Sequence, residues 1–217
     1  MLGQVFDPKQ ELLIGEQCRP HWAQSGTIVF VTFRTFDSIP SKVLERWEEE
    51  KREWLEFRNI RGDIHWSKAV ELLSPADRAT FAKHFNRMRE ELLDNSLGQC
   101  VLRNQTLASV VADSLLHFDG ERYRMGDFVI MPNHVHLLCA FGSAESMQKQ
   151  FNSWLHFTAV QINKRLGTSG KFWQSEPFDH LVRSPEQYEY LRDYIRDNPK
   201  KARLREGEFF YRRYEAG

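Results

Sequence analysis

The stretch Phe128-Val-Ile-Met-Pro-Asn-His-Val-His-Leu-Leu-Cys-Ala-Phe141 contains two apolar runs separated by Pro132-Asn133, a pair that favours a turn over continued strand. It predicts a β-hairpin whose strands cover 122–131 and 134–141. Successive side chains of a strand point to opposite faces, so His134 and His136 share one face while Val135 enters the other. Two imidazoles side by side on one face offer a pair of nitrogen ligands to a metal ion. The competing reading of a His-x-His pair is two polar residues on the wet face of a strand, and the pattern alone does not separate the two.

Working outward, the run 26–35 is rich in β-branched and aromatic residues and is bounded by Gly26 and by Asp37-Ser38-Ile39-Pro40, so it reads as a first strand. Ser41 is placed to cap a helix running through Val43, Leu44 and Trp47 to Trp54. Ser74-Pro75 opens another helix, with Ser as cap and Pro at the first helical position, expected to extend to about Leu93. Leu107, Val110, Val111, Leu115 and Leu116 recur at helical spacing over 105–117, and Asp119-Gly120 turns the chain into the hairpin. Beyond it, Met147, Phe151, Leu155, Thr158, Ile162 and Leu166 mark a helix from Ser143 to its stop at Gly167. A fourth strand is expected over 172–182. Ser184-Pro-Glu-Gln187 reads as a capping box, and Pro199 is expected to end the last helix near Asn198. Residues 1–25 read as an irregular, locally packed arm. This order of elements predicts a ferredoxin-like αβ sandwich of the α+β class, with an antiparallel sheet and a helical insertion after the first strand.

At 217 residues the chain fits one elaborated domain better than two independent ones. No apolar run approaches a membrane span, and Met1-Leu-Gly-Gln-Val-Phe-Asp-Pro8 is too short and polar for a secretory segment, so a cytoplasmic location is expected with no membrane partner. Cys18, Cys100 and Cys139 lie far apart in no Cys-x-x-Cys pattern, which argues against a disulfide framework or zinc knuckle. The 30 basic side chains balance 30 acidic ones, so any nucleic-acid site must be a local patch rather than a charge over the whole surface. One such patch is the locally basic segment 196–213, ending in Phe209-Phe-Tyr-Arg-Arg-Tyr214, a mixture suited to phosphate contact and base stacking.

On the last helix Tyr194 and Asn198 lie one turn apart and share a face, so a phenol and an amide oxygen could approach a metal held by the two histidines. Tyr188, Tyr190 and Tyr194 also read as a half-buried aromatic stripe. In Val31-Thr-Phe-Arg-Thr35, Met131-Pro-Asn-His-Val-His-Leu-Leu138, Phe172-Trp-Gln174, Phe178-Asp-His180 and Tyr194-Ile-Arg-Asp-Asn-Pro199, followed by Lys201-Ala202, the sequence resembles the single-tyrosine HUH transposases (IS200-like), and among them the REP-associated tyrosine transposases. The resemblance covers 26–35 and 121–204. It leaves 36–120 as a helical insertion without a family motif and 205–217 as a basic and aromatic tail, all within one domain, 1–217.

The resemblance implies a metal-dependent transposase and endonuclease acting on single-stranded or hairpin DNA at repetitive elements, as a monomer or a homodimer. It assigns His134, His136 and Asn198 to the metal, Mg²⁺ or Mn²⁺, and Tyr194 to the nucleophile on a C-terminal catalytic helix, with a 5′-phosphotyrosine and a free 3′-OH as products. Two imidazoles and one amide leave coordination positions open for a hard ion to polarise a phosphate. Arg34, Lys171, Trp173, Arg183, Lys200, Lys201 and Arg203 are expected to hold the DNA, although each also reads as a solvated charge or, for Trp173, a core aromatic. Asp179 and His180 are possible auxiliary residues. Two other functions compete: a non-catalytic DNA- or RNA-binding regulator that keeps the fold, and a metal hydrolase, which would lack a general base because no Glu or Asp adjoins the His pair in sequence.

Overall fold

The hairpin forms as expected: Tyr123–Ile130 (β4) pairs antiparallel with His134–Phe141 (β5), and the amide of Met131 donates to the His134 carbonyl at 2.8 Å to close the turn. The structure, a computed structural model, describes residues 2–10, 13–15, 21–62, 64–175 and 177–215. β5 also pairs antiparallel with Ile28–Arg34 (β3), which in turn pairs with Phe178–Leu181 (β6), and Phe210–Arg212 (β7) adds to the far edge of β4. The sheet order is β6-β3-β5-β4-β7. Without the short edge strand β7, this is the antiparallel order of a ferredoxin-like sandwich. Its two crossover helices are Gln105–Leu116 (α4) and Ala144–Leu166 (α5).

Alternation along β5 decides what each face becomes. Val135, Leu137, Cys139 and Phe141 join Val29, Val31 and Phe33 of β3 in one apolar cluster under α4 and α5, where Phe151 and Trp154 pack edge-on to Phe33. Each such fully buried side chain contributes roughly 1.5–3 kcal/mol, so this face carries most of the stabilisation. The other face is covered by Pro185–Lys201 (α6), which packs Tyr188, Leu191 and Ile195 against Ile28, Phe30, Val129 and Leu138. It is the face that holds His134 and His136. A bulge in β4 between Met125 and Phe128 lets Gly126 pass where a Cβ would stand 2.7 Å from Leu2 and 2.9 Å from the Leu138 carbonyl.

The insertion contains Ser41–Glu56 (α1), the short turn Trp66–Ala69 (α2) and Pro75–Asp94 (α3). α1 and α3 pack through Leu55, Phe81 and Phe85 at one end and Trp47 and Leu93 at the other. The caps at Ser74 and Ser143 form as expected, but α1 begins at Ser41 itself with Pro40 as its unassisted cap. Ser184 accepts from the Gln187 amide at 3.1 Å, while the Gln187 side chain accepts from Arg183 rather than from Ser184, so the return bond of the box falls one residue early.

Four expectations need correction. α6 runs through Pro199 to Lys201, because a proline so near the helix end removes a single intrahelical bond and the chain recovers through Ala202 N–H to the Asn198 carbonyl at 3.0 Å. The fourth strand spans only 178–181, with Trp173 joined to Thr35 by an isolated bridge. The aromatic tail is not a free stacking surface: Phe210 lies within β7 and stacks on Phe128 at 5.9 Å and 8°. Finally, the arm contains a small antiparallel pair, Leu13–Gly15 (β1) with His21–Ala23 (β2), while Cys18 lies outside the described residues. Leu2 is fully buried under α6, so the arm's start is tied into the core. Among the described residues no helix is long and apolar enough to cross a membrane.

Candidate active site

The site lies where the ends of β3 and β5 meet α6, with residues of α3 and β6 beside it. On β5, His134 and His136 are 0 % and 1 % exposed, with ring centroids 4.6 Å apart. The register sets Thr32 of β3 opposite His136, and its hydroxyl lies 2.9 Å from His136 Nδ1. His134 is held from the turn: Asn133 Oδ1 lies 2.7 Å from His134 Nδ1, while Asn133 Nδ2 donates to the Leu97 carbonyl at 2.8 Å. Because the Leu97 carbonyl can only accept, the Asn133 amide is oriented with its oxygen toward the ring. His134 therefore carries its proton on Nδ1 and keeps a lone pair on Nε2.

That Nε2 has no hydrogen-bond partner among the described residues, and neither does either amide atom of Asn198, which is 0 % exposed. Asn198 lies close enough to influence both His134 and Asp94, but forms no hydrogen bond of ordinary geometry with either. Buried polar atoms are almost always paired, so an imidazole nitrogen and an amide oxygen left unpaired on neighbouring residues are suited to holding a ligand. Burial lowers the His134 pKa to about 3 and holds His136 well below the ordinary histidine range, the charges of His134, Arg89 and Lys201 adding to the latter effect. Both rings are thus neutral at pH 7, the form that ligates a metal. Among the described residues no three His, Cys, Asp or Glu side chains gather as a metal site, so an amide would have to complete the set.

Tyr194 enters from α6. Its hydroxyl lies 3.4 Å from His136 Nε2 and donates to Glu90 Oε2 at 2.5 Å. Phe30 forms the floor, with its ring 5.4 Å from His136, 5.2 Å from His180 and 6.0 Å from Tyr194. Lys201, two turns along the helix, sits with its ammonium 4.6 Å from the Tyr194 ring centre. Burial, followed by the Glu90 carboxylate, pushes the Tyr194 pKa well above that of an ordinary phenol.

The structure therefore brings together His134, His136, Tyr194 and Asn198, adds Lys201, and gives His180 the same face. Asp179 does not join them. It pairs with Val31 in register and so points to the α5 side, where its charge acts on Cys139. Trp173 is a core residue, 5 % exposed, whose indole N–H donates to Thr158 at 2.8 Å, so it presents no face to a nucleic acid. Lys171, Arg183, Lys200 and Arg203 are exposed; Lys171 leans on the Phe36 ring at 4.9 Å, and Arg34 at the end of β3 donates to Ser38 at 3.3 Å. Tyr188 is buried between α6 and the sheet and Tyr190 is 66 % exposed, which leaves Tyr194 alone of the three beside the histidines.

Sequence reasoning missed what the insertion contributes. Glu90 reaches the phenol, Arg89 lies with its guanidinium carbon 3.7 Å from the Phe178 ring centre, and Asp94 is near Glu90, Lys201 and Asn198, its pKa raised to about 6 chiefly by burial. No local motif marks them, because α3 joins the site only through tertiary packing. Carboxylates thus stand beside the Tyr194 hydroxyl and Asn198, although none adjoins the His pair in sequence.

No protein-family model matches the sequence, and no curated protein matches it. A solved structure described as a REP-associated tyrosine transposase bound to a REP hairpin is similar over 86 % of this chain and 74 % of its own, with 14 % identity and a TM-score of 0.42. At that depth the likeness carries no inference about activity, and the functional reading rests on the site's own geometry.

Proposed function

We propose that this protein is a metal-dependent single-strand DNA transferase of the single-tyrosine HUH type, cleaving and rejoining DNA through a 5′-phosphotyrosine on Tyr194. The observation that carries the reading is the phenol of α6 held 3.4 Å from His136 beside two unpartnered buried ligand atoms, His134 Nε2 and Asn198 Oδ1. His134, His136 and Asn198 would hold Mg²⁺ or Mn²⁺, which when bound polarises a phosphate and favours the phenolate. Thr32 and Asn133 fix the two rings. Tyr194 attacks, and Lys201 offsets the negative charge that develops on it. Lys200, Lys201 and Arg203 at the end of α6, with Arg183 at its start, supply local cations for a phosphate backbone in an otherwise neutral protein.

A hydrolase using water at the same site is less well supported, since the Glu90 carboxylate is engaged by the Tyr194 phenol. In the test, end-labelled hairpin oligonucleotides with single-stranded flanks are incubated with Mg²⁺ or Mn²⁺ and resolved on denaturing gels. The reading predicts a covalent protein–DNA band that is lost in Tyr194→Phe and on chelation. Binding without any adduct would instead identify a non-catalytic nucleic-acid regulator.

A further inference from the structure

Glu90 lies outside every segment that suggested the chemistry, yet it makes the shortest contact in the site. Its Oε2 accepts from the Tyr194 hydroxyl at 2.5 Å, the separation expected of an O–H donating to a carboxylate. Two packing features deliver it. On one side, Leu93 of α3 is buried against Trp47 and Ile39. On the other, neighbouring Arg89 covers the Phe178 ring of β6, a strand of the same sheet face, and lies 3.8 Å from Glu90 Oε1. The carboxylate is thus fixed by the insertion and aimed at the one atom that the proposed reaction must deprotonate.

We infer that Glu90 is the proton acceptor for Tyr194, so that the helical insertion supplies a catalytic residue. This role rests on the transferase reading above. A phenol cannot attack phosphorus efficiently while it keeps its proton, and a base must stand within hydrogen-bond reach of that proton. Among the described residues two candidates stand there, Glu90 at 2.5 Å and His136 Nε2 at 3.4 Å. A ring nitrogen committed to a metal has no lone pair left for a proton, which leaves the carboxylate. In the forward step the bond from Tyr194 Oη to phosphorus forms and the bond from phosphorus to the 3′ oxygen breaks. The phenol proton passes to Glu90 Oε2, and the departing 3′ oxygen takes a proton from solvent. In rejoining, an incoming 3′-OH gives up its proton to solvent as it attacks, and Glu90 returns a proton to the leaving phenol oxygen.

The contact also admits the opposite meaning, a carboxylate that restrains the phenol, and single-turnover kinetics separate the two. Wild type, Glu90→Gln and Glu90→Ala are compared for hairpin affinity and for the rate of adduct formation with Mn²⁺ at pH 7. General-base catalysis is worth typically 10²–10⁴-fold, so Glu90→Gln should bind DNA as wild type does and form adduct about 100-fold more slowly. Added formate should restore part of the rate to Glu90→Ala, where a small carboxylate can enter the vacated space, and none to Tyr194→Phe. A merely structural role would not respond to formate. Glu90→Gln reacting at the wild-type rate or faster would overturn the role while leaving the transferase reading intact. A wild type that forms no adduct at all would overturn both.

Discussion

At the scale of single residues, the site is a small set of neutral rings and one amide held ready in a dry environment. Asn133 makes this testable without touching a ligand: Asn133→Ala frees the His134 ring, and losing such an orienting partner should weaken metal affinity 10- to 100-fold. Manganese titration by calorimetry checks it, with unchanged affinity contradicting the orientation argument. Asn198→Leu should likewise reduce cleavage at least about tenfold and raise the metal concentration required, whereas Asn198→Asp should tighten binding by adding charge. Burial also links these residues to pH. The folded pKa values of His134 and His180 lie near 3 and 4, below the ordinary 6.5, chiefly through burial. The unfolded chain then binds protons that the folded one refuses, so metal-free stability is intact above pH 6.5 and falls as pH drops toward 4. Asp94, its pKa raised to about 6, opposes this between pH 6 and 4, because there the folded state is the one that takes up a proton. Two histidines outweigh one carboxyl, and urea midpoints in chelator should fall between pH 7 and pH 5. His180→Leu should lessen the fall; a midpoint that rises on acidification would contradict the assignment.

At the scale of elements, β5 divides the labour between two faces of one sheet, and the sequence made that division legible. Alternation around Val135 correctly put the two histidines on the face opposite the Val135 core, and the helical spacing of Met147, Phe151, Thr158 and Ile162 identified the buried side of α5. Where reading failed, the cause was tertiary. Trp173 looked like a nucleic-acid contact because its partner, Thr158, lies 15 residues earlier on another element. That pair can be tested: Thr158→Val keeps the volume but leaves the indole N–H unpaired, and should cost about 1–3 kcal/mol in urea unfolding. A neutral result would mean that the indole finds another acceptor. The resemblance paired Asp179 with His180 as auxiliary residues, but adjacent strand residues face opposite ways and only His180 joins the histidine face.

At the scale of the whole molecule, distant segments are tied around α6. Asp127, in the β4 bulge, accepts from Arg192 at 2.5 Å and from the backbone amide of Tyr214, joining sheet, helix and tail. Its side chain is 1 % exposed, so Asp127→Ala strands a largely buried guanidinium and should cost on the order of 3 kcal/mol, readable as a lowered thermal midpoint. The insertion is the other long-range tie. Residues 36–120 carried no motif from which their role could be read, because Glu90 gains its meaning only when α3 is laid beside Tyr194. Both the catalytic assignment and the role of the insertion converge on one atom, the Tyr194 hydroxyl oxygen. The most direct measurement is mass spectrometry of the peptide containing Tyr194 after reaction with a hairpin oligonucleotide and Mn²⁺, followed by nuclease trimming. The account predicts a nucleotide attached through a 5′-phosphate to Tyr194 and to no other residue. A modification on Tyr190 or Tyr188, or DNA cleaved by Mn²⁺ and protein with every tyrosine unmodified, would contradict it.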